Sequence, residues 1–248
     1  MLEKVLTEFK AALGDHAESA EAYYAVGVSS AVLGRLDEAE QALRRARDAK
    51  PDYGWAHYAL GVVLAERGRS DEAVLEFTRA LETCRQAAEI CMIHRGLGGT
   101  YYALGRYADA IGHLEAALEA RPADPLLRTN LGACYLASGD TERARQELSR
   151  ALEVDPHLLS ALRNLGTLYI KTRRFDDAVQ VLERAVALDP GHASTLRKLA
   201  VACYEHGDEG RAEAHMRRAI KLDEGPEKRL GEHPGAKAGD REGEPDAP

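Results

Sequence analysis

The 248-residue chain is poor in aromatic residues, holds four cysteines and one tryptophan, and has no surplus of positive charge. Lys and Arg total 33 against 41 Asp and Glu, a formal charge of −8. Proteins that live on phosphate backbones normally carry a basic excess, so general nucleic-acid binding is disfavoured. The cysteines, Cys84, Cys91, Cys134 and Cys203, form no Cys-x-x-Cys pair and no finger-like spacing with histidine. Nothing here asks for disulfides or a metal. The longest plainly apolar run, Ala59–Ala65, is far too short to span a bilayer. The first residues, Met1–Leu6, mix charges into an amphipathic pattern and lack the apolar core of a signal peptide, so the expected location is the cytoplasm. Walker loops, His-Glu-x-x-His and nucleophile-elbow motifs are missing from the sequence. Gly96-Leu97-Gly98-Gly99 resembles a nucleotide loop only superficially, because it lacks the third spaced glycine and follows no strand. The expectation is a protein without catalytic residues, metal or cofactor.

What the chain does have is a period. Glycines preceded by an apolar residue stand at Gly27, Gly61, Gly98, Gly132 and Gly166, with Ala200 closing the series. The spacings are 34, 37, 34, 34 and 34 residues. Twelve residues after each lies an alanine (Ala39, Ala73, Ala110, Ala144, Ala178, Ala212), and seven further on another (Ala46, Ala80, Ala117, Ala151, Ala185, Ala219). A large apolar residue sits between them: Leu43, Phe77, Leu114, Leu148, Leu182 or Met216. Prolines 51, 122, 156 and 190 close four of the units. Each unit reads as two helices, the first ended by a glycine that tolerates positive φ (Gly34, Gly68, Gly105, Gly139, Gly207). Arg173 takes that place in the fifth unit, where strain is expected. A single hairpin of this kind cannot bury its own apolar face, so neighbours must stack on it.

These registers resemble the tetratricopeptide repeat family over roughly residues 20–226, through stretches such as Ala22–Gly27 and Leu162–Tyr169. The family's usual tryptophan slot holds Tyr23, His57, His94, Arg128, Leu162 and Leu196 instead. The resemblance implies an all-α, right-handed solenoid of antiparallel helix pairs. The expected division is an N-terminal capping half-repeat (1–19), six units (20–53, 54–90, 91–124, 125–158, 159–192, 193–226) and a disordered Gly/Pro-rich tail (227–248). The three extra residues of the second unit predict a longer second helix running through Cys84–Glu89.

In this family the first helices line a concave face, and the resemblance implies the same here. At 100° per residue, the stripe offset from the buried one holds Tyr24, Val28, Trp55, Tyr58 and Val62 in the first two units. In later units it turns polar and basic: Arg95, Thr129, Arg163 and Arg197 share one slot, and Gly96, Asn130, Asn164 and Lys198 the next. Lys171 extends the basic character, and Tyr102 and Tyr204 add apolar contact one turn along. An asparagine amide both donates and accepts, so it can pair with an extended peptide backbone of any sequence. The groove of O-linked sugar transferases is similar in using asparagines in this slot, although only two are present here. The clamp of chaperone-binding members is incomplete, since Val28, Val62, Gly99, Ala133, Thr167 and Val201 fill its second asparagine slot. The expected function is a non-enzymatic adaptor whose guest is apolar toward the early repeats and acidic toward the late ones. The alternative is an oligomeric scaffold docking through its terminal repeats.

Overall fold

The computed structural model describes Glu3, Thr7 and residues 19–224. Twelve helices and no strand occur among the described residues: α1 (Ala20–Val32), α2 (Leu36–Ala49), α3 (Gly54–Glu66), α4 (Ser70–Thr83), α5 (Ala87–Ala103), α6 (Tyr107–Ala120), α7 (Pro125–Ser138), α8 (Thr141–Val154), α9 (Leu159–Lys171), α10 (Phe175–Leu188), α11 (Ala193–His206) and α12 (Glu209–Asp223). Consecutive helices pack as hairpins, and each hairpin stacks on the next. Odd-numbered helices also touch the odd-numbered helices of adjoining hairpins, while even-numbered ones are spread apart. The array therefore curves with the odd helices inside. It is an α-solenoid, as the period requires.

The repeated small residues set the helix spacing. A Cβ built on Gly27 would lie 2.5 Å from Leu43 Cγ, and one on Gly166 would lie 2.5 Å from Leu182 Cγ. At these glycines a hydrogen lets the hairpin close against the facing leucine. The alanine pairs around each large residue are fully buried, from Ala39 and Ala46 through Ala178 and Ala185.

The turns follow from their punctuation. Gly34, Gly68 and Gly105 have φ of 72–73°, and the N–H after each reaches back to a helical carbonyl, as Arg35 does to Ser30 at 2.9 Å. Arg173 adopts the same left-handed conformation at φ 59°, the one non-glycine among the described residues to do so. Asp124, Asp140 and Asp208 cap helix starts by accepting backbone N–H bonds, with Pro125 pre-set at the first position of α7.

The extra residues of the second unit lengthen a different helix from the one expected. Helix α4 stops at Thr83, and Cys84 leaves it in an extended conformation (φ −72°, ψ 142°). Helix α5 instead starts early and runs 17 residues, where the other odd helices run 13 or 14. Two features account for this. The Gln86 N–H donates to the Glu89 carboxylate at 3.3 Å, closing the start of α5. The buried Cys84 sulfur packs where Gly54 has no side chain, pinning the end of α4 against the start of α3. Apart from Glu3, Thr7 and Ser19, the proposed capping segment lies outside the described residues, as does the proposed tail. Glu3 accepts from Arg35 at 2.8 Å.

Candidate peptide-binding groove

The odd helices carry every residue assigned to the groove, and the structure sorts them into three groups. At the early end, Tyr24, Val28, Trp55, Tyr58 and Val62 are half-buried. The rings form two groups: Tyr24 lies 5.4 Å from Tyr53, while Trp55 meets Tyr58 edge-on at 5.9 Å and Tyr58 lies 5.8 Å from Phe77. A cavity of about 350 Å³ opens between α3 and α5, bringing Tyr58, Val62 and Arg95 together with Glu66, Gly96 and Gly99. Phe77, from α4, forms its floor and was not among the expected site residues. The signal for it lay in Gly96, whose added Cβ would stand 2.9 Å from the Phe77 ring. Gly99 has nothing within 4 Å of an added Cβ, so helix packing does not require it.

In the middle and late units the polar residues separate. Asn130 is exposed and Asn164 half-buried, both on the inner face. Thr129 is a correction: it is 2% exposed, and its hydroxyl donates to the Pro125 carbonyl at 2.8 Å. A short side chain that satisfies itself on its own helix sinks between α7 and its neighbours, whereas Arg95 and Arg197 in the same register stay at the surface. Arg163 pairs with Asp189 at 2.6 Å, and Arg197 pairs with Asp223. Lys171 Nζ donates to the Leu136 carbonyl at 3.2 Å, and Lys198 Nζ donates to the Thr167 hydroxyl at 2.8 Å. Burial, reinforced by the nearby Arg163 charge, holds the Lys198 ammonium below the usual lysine range. Tyr102 packs 5.6 Å from Tyr107, and Tyr204 is largely exposed.

The register without tryptophan turns out to hold polar pairs across three of the hairpins, 19 positions apart: His57 with Glu76, His94 with His113, and Arg128 with Glu147. His57 Nδ1 lies 2.6 Å from the Glu76 carboxylate and Nε2 lies 2.9 Å from the Pro51 carbonyl. Both partners only accept, so both ring nitrogens donate and the ring is cationic. Its pKa is raised, chiefly by the Glu76 bond. Burial alone would raise the Glu76 carboxyl, but bonds from His57 and Arg47 outweigh it and hold the group low. His94 and His113 are both pushed down, mainly by burial. These pairs clamp hairpins together and do not face the groove cavity. No group of three or more potential metal ligands occurs among the described residues, and no helix there is long and apolar enough to cross a membrane.

Comparison with known families agrees with this architecture. The family model described as the C-terminal domain of cilia and flagella-associated protein 70 matches residues 54–231, and the tetratricopeptide repeat model matches residues 6–54. The chain belongs to the tetratricopeptide repeat family. Among solved structures, the repeat array is similar to the Cut9–Hcn1 hetero-tetramer of the APC/C (TM-score 0.76, 21% identity), with 90% of this chain and 44% of that one covered. The chain thus spans less than half the length of that relative. It is also similar to pilF of Pseudomonas aeruginosa (TM-score 0.69, 23% identity, 88% and 99% covered). A third is YrrB, titled a tetratricopeptide protein with an unusual peptide-binding site (TM-score 0.59, 23% identity, 76% and 95% covered). At these identities the likeness concerns the fold. No curated protein matches the sequence.

Proposed function

We propose that this tetratricopeptide repeat array is a non-enzymatic adaptor that holds an extended segment of another protein along its odd-helix face. The observation that carries the reading is the cavity between α3 and α5, roofless toward the inner face, floored by Phe77 and rimmed by Arg95. It suits an apolar side chain of a guest. Further along, the Asn130 and Asn164 amides are placed to pair with a peptide backbone, and the guest's acidic residues face the basic late units. The peptide-binding site named for YrrB is in keeping with such a use. Four buried free thiols fit a reducing compartment, the cytoplasm. A peptide-array screen followed by fluorescence polarisation tests the proposal. Selected segments should be apolar at one end and acidic at the other, and Val62→Asp or Asn164→Ala should weaken them with helicity intact. Unchanged affinity in both variants would refute the groove.

The end of the array favours a second reading, docking between terminal repeats. Val201, Tyr204 and Ile220 are 43%, 62% and 50% exposed, and a cavity of about 670 Å³ lies between α11 and α12. Glu213, on its rim, occupies the register of Glu40, which the next hairpin buries beneath Arg67 and Arg69. Sedimentation velocity across a concentration series checks this: self-association abolished by Tyr204→Lys supports it, and a monomer throughout excludes it.

A further inference from the structure

Within the array each even-numbered helix packs against the first helix of the next hairpin. On α10, so covered, Leu182 is fully buried and Val186 is 8% exposed. Met216 and Ile220 hold the same registers on α12, but Met216 is only half-buried and Ile220 is 50% exposed. The charges at the end tell the same story. Glu40 on α2 binds Arg44 of its own helix at 2.7 Å, and the second hairpin adds Arg67 at 3.1 Å and also Arg69, so that Glu40 is buried. Glu213 and Arg217 repeat the Glu40–Arg44 pair on α12 at 2.5 Å. Among the described residues nothing stands in for Arg67 and Arg69 there, and Glu213 stays exposed. A carboxylate has about four acceptor sites, so one arginine leaves room for others. Beside it, the cavity of about 670 Å³ has an apolar floor of Val201, Tyr204, Ala212 and Met216, and its charged lining residues are Glu205, Glu209 and Glu213. Glu205 and Glu209 make no ion pair among the described residues.

The end of α12 is thus one half of a junction whose other half, between the first two hairpins, is a helix ending in arginines. We propose that this end face docks an amphipathic helix of another protein, its apolar stripe in the cavity and its arginine or lysine side chains on Glu205, Glu209 and Glu213. The helical shape follows from the repeat, because a first helix fills the corresponding trough at each interior junction. The positive charge follows from the three carboxylates, which a neutral or acidic helix would cover without pairing. Charge-assisted bonds to them are among the strongest a surface can make. A second copy of this chain does not supply the set. Two copies meeting through this face would bring two acidic rims together. A copy stacked head to tail would offer its leading hairpin, where Leu33 stands in the register of Arg67 and Arg35 is already bound to Glu3.

The test is NMR titration of the full chain with two synthetic helices of about 18 residues that share one leucine stripe, one with arginines beside the stripe and the other with glutamates. The arginine helix should shift the Val201, Ala212 and Met216 signals saturably, and the glutamate helix should leave them in place. Glu213→Arg, at an exposed position, should weaken the arginine helix by about tenfold, the loss of one charge-assisted contact, and should let the glutamate helix bind. Equal binding of the two helices, no saturable shift at these residues, or a Glu213→Arg variant that titrates like wild type overturns the proposal. Sedimentation velocity without peptide addresses the other occupant: self-association that Tyr204→Lys abolishes gives the face to a second copy and overturns it too. Val62→Asp, at the far end of the groove, should leave the titration unchanged while weakening capture of an extended guest. Failure of the groove and failure of the end face are thereby told apart.

Discussion

Gly98 and Gly99 are adjacent residues of one helix, and the structure assigns them opposite responses to the same substitution. In an isolated helix either glycine replaced by alanine gains about 1 kcal/mol, because alanine has less backbone freedom to lose. At Gly99 nothing stands within 4 Å of the new Cβ, so Gly99→Ala should keep that gain. At Gly98 the Cβ would fall 2.7 Å from Leu114 Cγ and 2.9 Å from its Cδ2, with the Ala110 carbonyl oxygen at 3.4 Å. Leu114 is 1% exposed and has no room to turn away. Overpacking of this sort costs about 1–3 kcal/mol, so Gly98→Ala should be net destabilising by up to about 2 kcal/mol. The gap between the two variants, about 1–3 kcal/mol, is the cost of the clash alone, since the propensity gain is common to both. Urea denaturation followed by helical circular dichroism reads it as a shift in midpoint, compared at equal slope. A Gly98→Ala protein as stable as Gly99→Ala would mean that α5 and α6 do not approach through that glycine, and the repeat register would be wrong.

Arg173→Gly should raise the urea midpoint, because a left-handed non-glycine residue is strained by about 1 kcal/mol; an unchanged or lower midpoint would show that its contact with the Phe175 ring offsets the strain. Glu76→Ala should destabilise by about 2 kcal/mol, leaving the buried His57 ring without its anion, and calorimetry should register the loss. The raised pKa of His57 gives stability that is full below its unfolded value near 6.5 and fades as pH climbs through the folded value, so Glu76→Gln should flatten the stability profile above about pH 6.5. The lowered pKa values of His94 and His113 act in the other direction: stability is full above about pH 6.5 and falls on acidification. A His113→Gln variant should lose its own share of that acid slope and keep the share of His94, measured as urea midpoint against pH.

Much of the fold was legible because packing repeats. The Gly27 and Leu43 registers, six times over, state how near two helices must come, and the glycine after each first helix states where it ends. Even the exception at Arg173 could be read in advance, since its neighbours in register are all glycines. The length of α5 was not legible. The extra residues could join either flanking helix, and the choice fell to the Gln86–Glu89 contact and to the fit of Cys84 beside Gly54. Thr129 was assigned to the groove from helical phase alone. Phase locates a Cα on a wheel but does not say whether a side chain is long enough to reach solvent. The His57–Glu76, His94–His113 and Arg128–Glu147 pairs left a trace in the sequence, a constant separation of 19 residues, visible only once the hairpin geometry is known. The internal partners of Arg163 and Arg197 left a trace of the same kind, a constant separation of 26 residues. Asp189 and Asp223 lie at the C-terminal ends of even-numbered helices, where each pairs with an arginine of the odd helix before it.

The early start of α5 coincides with a division of the apolar interior. Leu43, Leu60, Phe77, Ile93 and Leu97 belong to one buried cluster, while Cys91, Leu114, Leu131 and the residues beyond belong to another, and Tyr101 packs against both. Helix α5 is thus a hinge pin shared by two cooperative blocks, with neither block's core continuous through it. Under pull or mild denaturant the two leading hairpins should let go as one body while the later four hold. A guest lying across that helix would couple the blocks, so occupancy of the trough would register as stiffness along the whole rod.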